Sequence, residues 1–343
     1  MKGEIGIGII GSGFMGRTHA EAIKKYVKRA RLVAVAGGKR AGRLAADYGM
    51  ACDDSVERLC ARKDVDAVFI TSPHALHHAH ALLAAANGKP MLIEKPMASS
   101  VEECDDIIDR AKKAGVNCMI SFTQRYRKCN VKAKALIDGG AIGRVLQIED
   151  RQLNVNGRQV LPAWQQSPEN IGILYGNGVH NLDRVRWLTG SEPKTVYARS
   201  GSLLDPKASI EWTTMAIVTM KNGVEAMLWT SFEIPGPGFP RANFMAWVVG
   251  EKGLLDLDAY GELRASVGGK PWEVVEKQEP IDWAGKGQFD PVRMQSYILQ
   301  NQEFIDSVLD QRPSAVTGFD GRQAVAMALA AYESSRTGRP VDL

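Results

Sequence analysis

Ile5-Gly6-Ile7-Gly8-Ile9-Ile10-Gly11-Ser12-Gly13-Phe14-Met15-Gly16 is the stretch on which the fold turns. A short apolar run ends in G-x-G-x-x-G, and a helical pattern over residues 14–28 begins inside that motif. The motif alone carries little information; directly after a strand and opening a helix, it is the signature of a dinucleotide-binding turn. Gly11 permits the tight turn, Gly13 lets the backbone approach a pyrophosphate, and Gly16 lets helix and strand pack closely. With Phe14 and Met15 these residues are the first expected cofactor contacts. The helix N-terminus adds unpaired N–H groups and positive dipole character. The alternative is a plain glycine turn.

Working outward, apolar runs at 32–36, 66–71, 91–93 and 118–122 read as further strands. Residues 41–48, 74–87 and 101–114 read as helices between them. Strands separated by helices predict crossovers and a mostly parallel sheet. From residue 145 the character changes. Runs at 145–154, 194–199, 213–220, 224–232, 243–249, 254–257 and 263–266 read as strands in series, the pattern of an antiparallel sheet. Lys221-Asn222-Gly223 supplies the Asn-Gly pair that hairpins favour, and Gly250-Glu251-Lys252-Gly253 reads as another turn. Residues 234–240 form a breaker-rich loop. Two helices follow, at 294–309 and 321–335. The predicted fold class is α/β, with a dinucleotide-binding domain over 1–122 and a second α/β domain over 123–343.

With 343 residues, a prior of about 150 residues per domain also suggests two domains. Basic and acidic side chains number 43 and 39, a net charge of +4. No basic stripe stands out, so nucleic acid is not an expected partner. The longest apolar runs fall well short of the roughly 20 residues a membrane span needs, and the N-terminus lacks a signal-peptide pattern. Five cysteines without C-x-x-C spacing argue against a disulfide framework or zinc knuckle. They read as reduced thiols in a cytoplasmic protein.

The cofactor is read from the end of the second strand. NAD enzymes usually carry an acid about 20 residues after the fingerprint, for the ribose 2′-hydroxyl. Here the sequence is Ala36-Gly37-Gly38-Lys39-Arg40, with no acid. Gly38, Lys39 and Arg40 are the candidate contacts at this end, and the two cations suit a 2′-phosphate. NADP is therefore slightly favoured over NAD; the other reading makes both cations solvated charges at a helix start.

Pro90-Met91-Leu92-Ile93-Glu94-Lys95-Pro96 ends a buried strand with a charged pair and a proline. Ligands of parallel sheets bind beyond the carboxyl ends of strands, which places Lys95 where cofactor and substrate meet. The proline restricts the preceding residue and so the direction of that side chain. An ammonium there can stabilise negative charge developing on a substrate oxygen. In isolation Lys-Pro would read as a surface turn.

These motifs together resemble the glucose–fructose oxidoreductase / inositol dehydrogenase (Gfo/Idh/MocA) family over essentially the whole chain. The resemblance rests on Gly11–Gly16, on Thr71-Ser72-Pro73 with His77, on Glu94-Lys95-Pro96, on Gly178-Val179-His180-Asn181-Leu182-Asp183 and on the ending Ser334-Ser335-Arg336-Thr337-Gly338-Arg339-Pro340. It implies a Rossmann domain followed by an α/β domain with a large open, mostly antiparallel sheet that joins homodimers or homotetramers. It implies hydride transfer at a carbinol carbon of a sugar, glycoside or related cyclic polyol. It makes Lys95 and His180 catalytic, and it adds Thr71, Ser72, Pro73, His77 and Glu94 to the cofactor contacts. The chain departs from the pattern four residues before His180, where the family's acid is Gly176. Asn177, beside the missing acid, is a candidate substrate contact rather than a replacement carboxylate.

Other residues carry two readings. His180 is a proton acceptor for a hydroxyl or a buried histidine held by Asp183. His74, His77, His78 and His80 cluster, but no acid or cysteine completes a ligand set, so no metal is expected. Arg125 and Tyr126 bind substrate oxygen or form a solvated pair. Trp164 stacks on a sugar ring or packs in a lid. The expected chemistry is a secondary hydroxyl losing its proton to His180 while Lys95 steadies the alkoxide. The alternatives are oxidation of a cis-dihydrodiol, a glycosidase-like cycle of transient oxidation and elimination, and a cofactor sensor without turnover.

Overall fold

Every residue of the opening strand is buried, as expected of a central parallel strand covered on both faces. The computed structural model describes residues 3–167, 171–241 and 243–343, without the side chains of Val160, Ala163 and Trp164. Its strands are β1 (Ile5–Ile10), β2 (Ala30–Ala36), β3 (Ala51–Cys52), β4 (Ala67–Ile70), β5 (Met91–Ile93), β6 (Cys118–Ile120), β7 (Val145–Val155), β8 (Pro193–Gly201), β9 (Thr213–Met220), β10 (Glu225–Ile234), β11 (Asn243–Gly250), β12 (Gly253–Asp258), β13 (Glu262–Val267), β14 (Glu273–Lys277) and β15 (Val341–Asp342). Its α-helices are α1 (Phe14–Lys25), α2 (Ala41–Tyr48), α3 (Val56–Ala61), α4 (His77–Ala86), α5 (Val101–Ala114), α6 (Lys128–Asp138), α7 (Gly157–Val160), α8 (Val179–Thr189), α9 (Pro291–Leu309) and α10 (Gly318–Thr337). No helix among the described residues is long and apolar enough to cross a membrane.

The chain divides into two compact units, Met1–Tyr126 with Ile281–Arg322, and Arg127–Pro280 with Gln323–Leu343. The first unit holds a six-stranded sheet in the order β3-β2-β1-β4-β5-β6, parallel throughout. This is the doubly wound order, whose direction reverses between β1 and β4 and opens a crevice at their carboxyl ends. Local chemistry sets the helices. At α5, Ser100 Oγ accepts the Glu103 N–H at 3.2 Å, and Glu103 reaches back to the Ser99 N–H at 2.8 Å. Gly115 ends the helix in a left-handed conformation, φ 65°, which glycine takes without a Cβ clash.

The contact units differ from a single cut near residue 122 in one segment, residues 281–322. Residues 281–322 return to the first unit because α9 covers it. Asp290 caps α9 by accepting the Val292 and Arg293 N–H groups, with Pro291 at the first turn. Phe304 meets Phe69 of β4 edge to face, their centroids 5.3 Å apart. An amphipathic helical pattern tells which residues are buried, not against which core. The pattern over 14–28 also ends early, at Lys25, and that over 74–87 starts as a 3-10 turn, His74–Leu76. Elements β3, α3, α6, α7, β14 and β15 were not expected; several are too short for periodicity to register.

The second unit holds a nine-stranded sheet, β14-β13-β12-β11-β7-β10-β9-β8-β15. It is antiparallel except where β7 lies parallel to β10. The Asn222-Gly223 turn joins β9 to β10, with Gly223 at φ 85°. One face carries exposed apolar side chains: Tyr197, Met215, Ile217, Met227, Trp247, Leu254 and Val274. Helix α8 is tied to the sheet by a buried ion pair. Arg184 donates to Asp150 from Nε at 2.6 Å and from Nη2 at 2.8 Å. It also donates to the Phe244 and Met245 carbonyls, while Asn181 donates to Asp150. Removing one partner of such a pair strands a buried charge, at about 3–5 kcal/mol. Asp150→Ala is therefore expected to lower the unfolding free energy by that amount in denaturant titration; a change under about 1 kcal/mol would contradict this account of α8.

Candidate active site

The glycine turn is built by close approach. Gly11 has φ +106°, and a Cβ there would lie 2.7 Å from Ser72 N. A Cβ on Gly16 would lie 2.1 Å from Gly11 O. Thr71 Oγ1 closes the crossing by donating to Gly11 O at 2.9 Å. By contrast, the first heavy atom that a Cβ on Gly13 would meet is Arg40 Nη2, 4.0 Å away. Gly13 thus faces open space at the helix N-terminus, where no side chain caps α1 and its first turn has no acid. That is a cradle a pyrophosphate fits. At the end of β2, Gly37 and Gly38 both have positive φ, and this bend brings the Arg40 N–H to Ser12 Oγ at 3.1 Å. A cavity of about 210 Å³ follows, bordered by Ser12, Gly13, Phe14, Arg17, Arg40 and Arg43. Arg17 donates to Asp47 at 2.6 Å; Arg40 has no carboxylate partner among the described residues. Lys39 is exposed beside it, and Met15 is half-buried.

Lys95 stands half-buried at the end of β5, before a cis Lys95–Pro96 bond. Burial pushes its ammonium pKa below the ordinary lysine value, against the opposing pull of Glu94. The structure differs from expectation at Glu94 and His77, whose side chains turn into the interior. Glu94 Oε1 accepts from His19 Nε2 at 2.9 Å and from Ser121 Oγ at 2.7 Å. Gln300 Nε2 of α9 donates to Ser121 Oγ at 2.9 Å, and Asn301 Oδ1 lies 3.0 Å from His19 Nδ1. Burial alone would raise the Glu94 pKa; the His19 and Ser121 hydrogen bonds and the nearby Lys95 charge outweigh it and hold the carboxyl below its usual range. His77 lies between two carbonyls, Nδ1 2.9 Å from Pro96 O and Nε2 2.8 Å from Ser72 O. It clasps the loop after β4 to the loop after β5. Burial holds its pKa down.

In the second unit, α8 is preceded by one π-helical turn, Leu174–Gly178, a distortion that often marks functional sites. The turn contains Tyr175, Gly176 and Asn177. A Cβ on Gly176 would meet nothing within 4 Å, whereas one on Gly178 would lie 2.7 Å from Leu174 Cδ1. His180, half-buried on the first turn of α8, sets its ring edge to face against Phe244, centroids 5.9 Å apart.

A family model described as "Oxidoreductase family, NAD-binding Rossmann fold" matches residues 5–122. Its companion, "Oxidoreductase family, C-terminal alpha/beta domain", matches 134–343. The chain belongs to the Gfo/Idh/MocA oxidoreductases. It is 28% identical to inositol 2-dehydrogenase 2 of Saccharopolyspora erythraea, over 98% of this chain and 95% of that one. It is 25% identical to 2,7-anhydro-N-acetylneuraminate hydratase of Mediterraneibacter gnavus, over 99% and 96%. Its fold matches, at a TM-score of 0.87, 23% identity and 99% and 98% coverage, an Agrobacterium radiobacter oxidoreductase solved with NAD+, L-tartaric acid and magnesium.

The first unit of this oxidoreductase brings Gly11, Gly13, Gly16, Gly38, Arg40, Thr71 and Ser72 together around one turn. Pro73 is exposed just before the His74–Leu76 turn. Arg125 is no solvated charge: its guanidinium donates to Asp320 at 2.9 Å. Tyr126 beside it is half-buried. The Trp164 side chain lies outside the described residues. His19, Ser121, Gln300 and Asn301 escaped the sequence reading, although a histidine on the apolar face of the fingerprint helix was a visible signal. His78 bonds to Asp106 and His80 to Ser72.

The two glycine environments predict opposite outcomes. Gly16→Ala is expected to abolish dinucleotide binding and lower the melting temperature by several degrees. Gly176→Ala is expected to leave both unchanged. Thermal melts with a fluorescence titration of reduced dinucleotide check both, and equal effects would contradict the packing described.

Proposed function

We propose that the protein is an NAD(P)-dependent oxidoreductase acting on a secondary hydroxyl, or the matching ketone, of a sugar-like compound. The observation that carries this reading is the open glycine turn and the strand-end Lys95 standing on one parallel sheet. The inositol dehydrogenase relative supports the substrate class. When bound, the nicotinamide accepts or returns a hydride, and that redox chemistry is its own. Gly11, Gly13 and the N-terminus of α1 would hold its pyrophosphate. Lys95 donates a hydrogen bond to the substrate oxygen and offsets the charge that develops there. Its lowered pKa makes that proton easier to share. His180 takes the hydroxyl proton. Asn177, Arg125, Tyr126 and Trp164 are the candidate substrate contacts.

NADP is the proposed cofactor. No acid stands at the end of β2 to meet a 2′-hydroxyl, and the three guanidinium groups of Arg17, Arg40 and Arg43 border the adjoining cavity. A 2′-phosphate would give Arg40 the anion it lacks. The deciding experiment follows reduced-nicotinamide absorbance with aldoses, inositols, glycosides, sugar acids and cis-dihydrodiols, each with NAD and NADP. Lys95→Ala is expected to cut turnover about 10²–10³-fold, the usual effect of losing a donor to a developing oxyanion. Arg40→Ala is expected to raise the KM for NADP about tenfold or more, the loss of one charge-assisted hydrogen bond, and to spare NAD. Full turnover in Lys95→Ala would remove that residue from the mechanism; equal loss for both cofactors in Arg40→Ala would remove the 2′-phosphate site.

The hydratase relative favours one second reading, a cycle with no net change in the cofactor. Its mark is product formation at constant reduced-nicotinamide absorbance.

We also propose that a second copy of the chain covers the open sheet face. Tyr197, Ile217 and Met227 stand side by side on paired strands, and each is 40% or more exposed. Contiguous apolar surface of this kind marks an association site. Ile217→Glu is expected to convert a dimer or tetramer to monomers in sedimentation velocity; a wild-type monomer at micromolar concentration would refute the proposal.

A further inference from the structure

The segment leading into the π-turn is held by a carboxylate far away in sequence. Glu211 precedes β9, between Ile210 and Trp212, which are anchored in an apolar cluster with Ile173 and Phe232. Its Oε1 accepts the Leu174 N–H at 2.7 Å and the Tyr332 hydroxyl at 2.7 Å. The Tyr332 oxygen in turn accepts the Tyr175 N–H at 3.1 Å. The first N–H groups of a helix have no intrahelical partners, and here two consecutive ones, of Leu174 and Tyr175, are met by this pair.

Two further features show that the arrangement is tightly specified. A Cβ on Gly172 would lie 1.7 Å from Glu211 Oε2 and 2.6 Å from the Tyr332 hydroxyl, so only glycine lets the carboxylate in. Ile171, just before it, has φ +66°, a left-handed conformation that a β-branched residue adopts only under constraint from its surroundings. Neither Glu211 nor Tyr332 has a place in the proton and hydride chemistry proposed above.

We propose that Glu211 and Tyr332 are positioning residues, latching the N–H groups of Leu174 and Tyr175 and so fixing the direction in which the π-turn presents Asn177 and His180. Only the kinetic part of this proposal rests on the oxidoreductase reading. The latch also has a built-in sensitivity to pH. Burial raises the Glu211 carboxyl to about 7, against the hydrogen bonds that favour its ionised form. Among the described residues, the titratable group bonded to it is the Tyr332 phenol from α10, itself pushed up by burial and by Glu211, and the Tyr175 phenol of the turn acts in turn on Tyr332. Protonation of the carboxyl removes its negative charge, and Oε1 then accepts the Leu174 N–H and the Tyr332 hydroxyl less strongly.

Two measurements on the full chain test the latch. In deuterated, ¹⁵N-labelled protein, the Leu174 amide proton is expected to titrate between pH 5.5 and 8.5 with a midpoint near 7, and to be flat in Glu211→Gln. In turnover, Glu211→Ala is expected to lower kcat at least tenfold with the KM for dinucleotide unchanged. Glu211→Gln restores most of that loss, and Tyr332→Phe falls between. If Glu211→Ala does not fold, the Gln and Phe variants carry the test. A wild-type Leu174 amide that does not titrate overturns the proposal. So does a folded Glu211→Gln as impaired as Glu211→Ala, since packing alone would then explain the residue. If no substrate is turned over, the amide titration decides the latch by itself.

Discussion

The first unit depends on one buried carboxylate. A charge in the interior must be matched by hydrogen bonds or it costs several kcal/mol, and Glu94 is matched by His19 of α1 and Ser121 just past β6. These partners are themselves braced by Asn301 and Gln300 of α9. One negative charge thereby ties the helix of the glycine turn, the strand end that carries Lys95 and a helix nearly 200 residues further on. The Lys95 N–H lies 3.3 Å from Glu94 Oε2, so the backbone under Lys95 is fixed by the same group. The lysine is aimed because its neighbour cannot move without losing its partners.

The second unit solves a related problem differently. Helix α8 is fastened to β7 by the Arg184–Asp150 pair, and its approach is shaped by the Glu211–Tyr332 contacts around the π-turn. Here too buried carboxylates act as fixed points: Asp150 accepts from one guanidinium and the Asn181 amide, and Glu211 from the Leu174 N–H and the Tyr332 hydroxyl. In both units the groups with chemical reach, Lys95 and His180, are half-exposed residues adjacent to fully buried polar anchors.

Much of this was legible in the sequence. The strand–glycine–helix pattern fixes β1 and α1, because only glycine fits where Gly11 and Gly16 pass other backbone, and a parallel sheet follows from alternating strands and helices. The hairpin at Asn222-Gly223 was legible for the same local reason. The membership of α9 was not, since periodicity gives a helix a buried face without naming the core it meets. Glu94 entered the cofactor contacts through the family resemblance; its burial was not legible, because it depends on His19 and Ser121, which no local pattern links to it. Glu211 gave no signal at all, because its partners at Leu174 and Tyr332 are 37 and 121 residues away.

The return of residues 281–322 bears on how the chain comes off the ribosome. Domains generally fold as units during synthesis, N-terminal first, but here the nucleotide-binding unit is discontinuous. Until α9 emerges, His19 and Ser121 lack Asn301 and Gln300, and Phe69 lacks Phe304. The first segment of the second unit, 127–280, is made while the first unit is still open. Completion of the N-terminal fold is therefore among the last events of translation, and a nascent chain stopped near residue 122 still exposes the face that α9 covers in the finished protein.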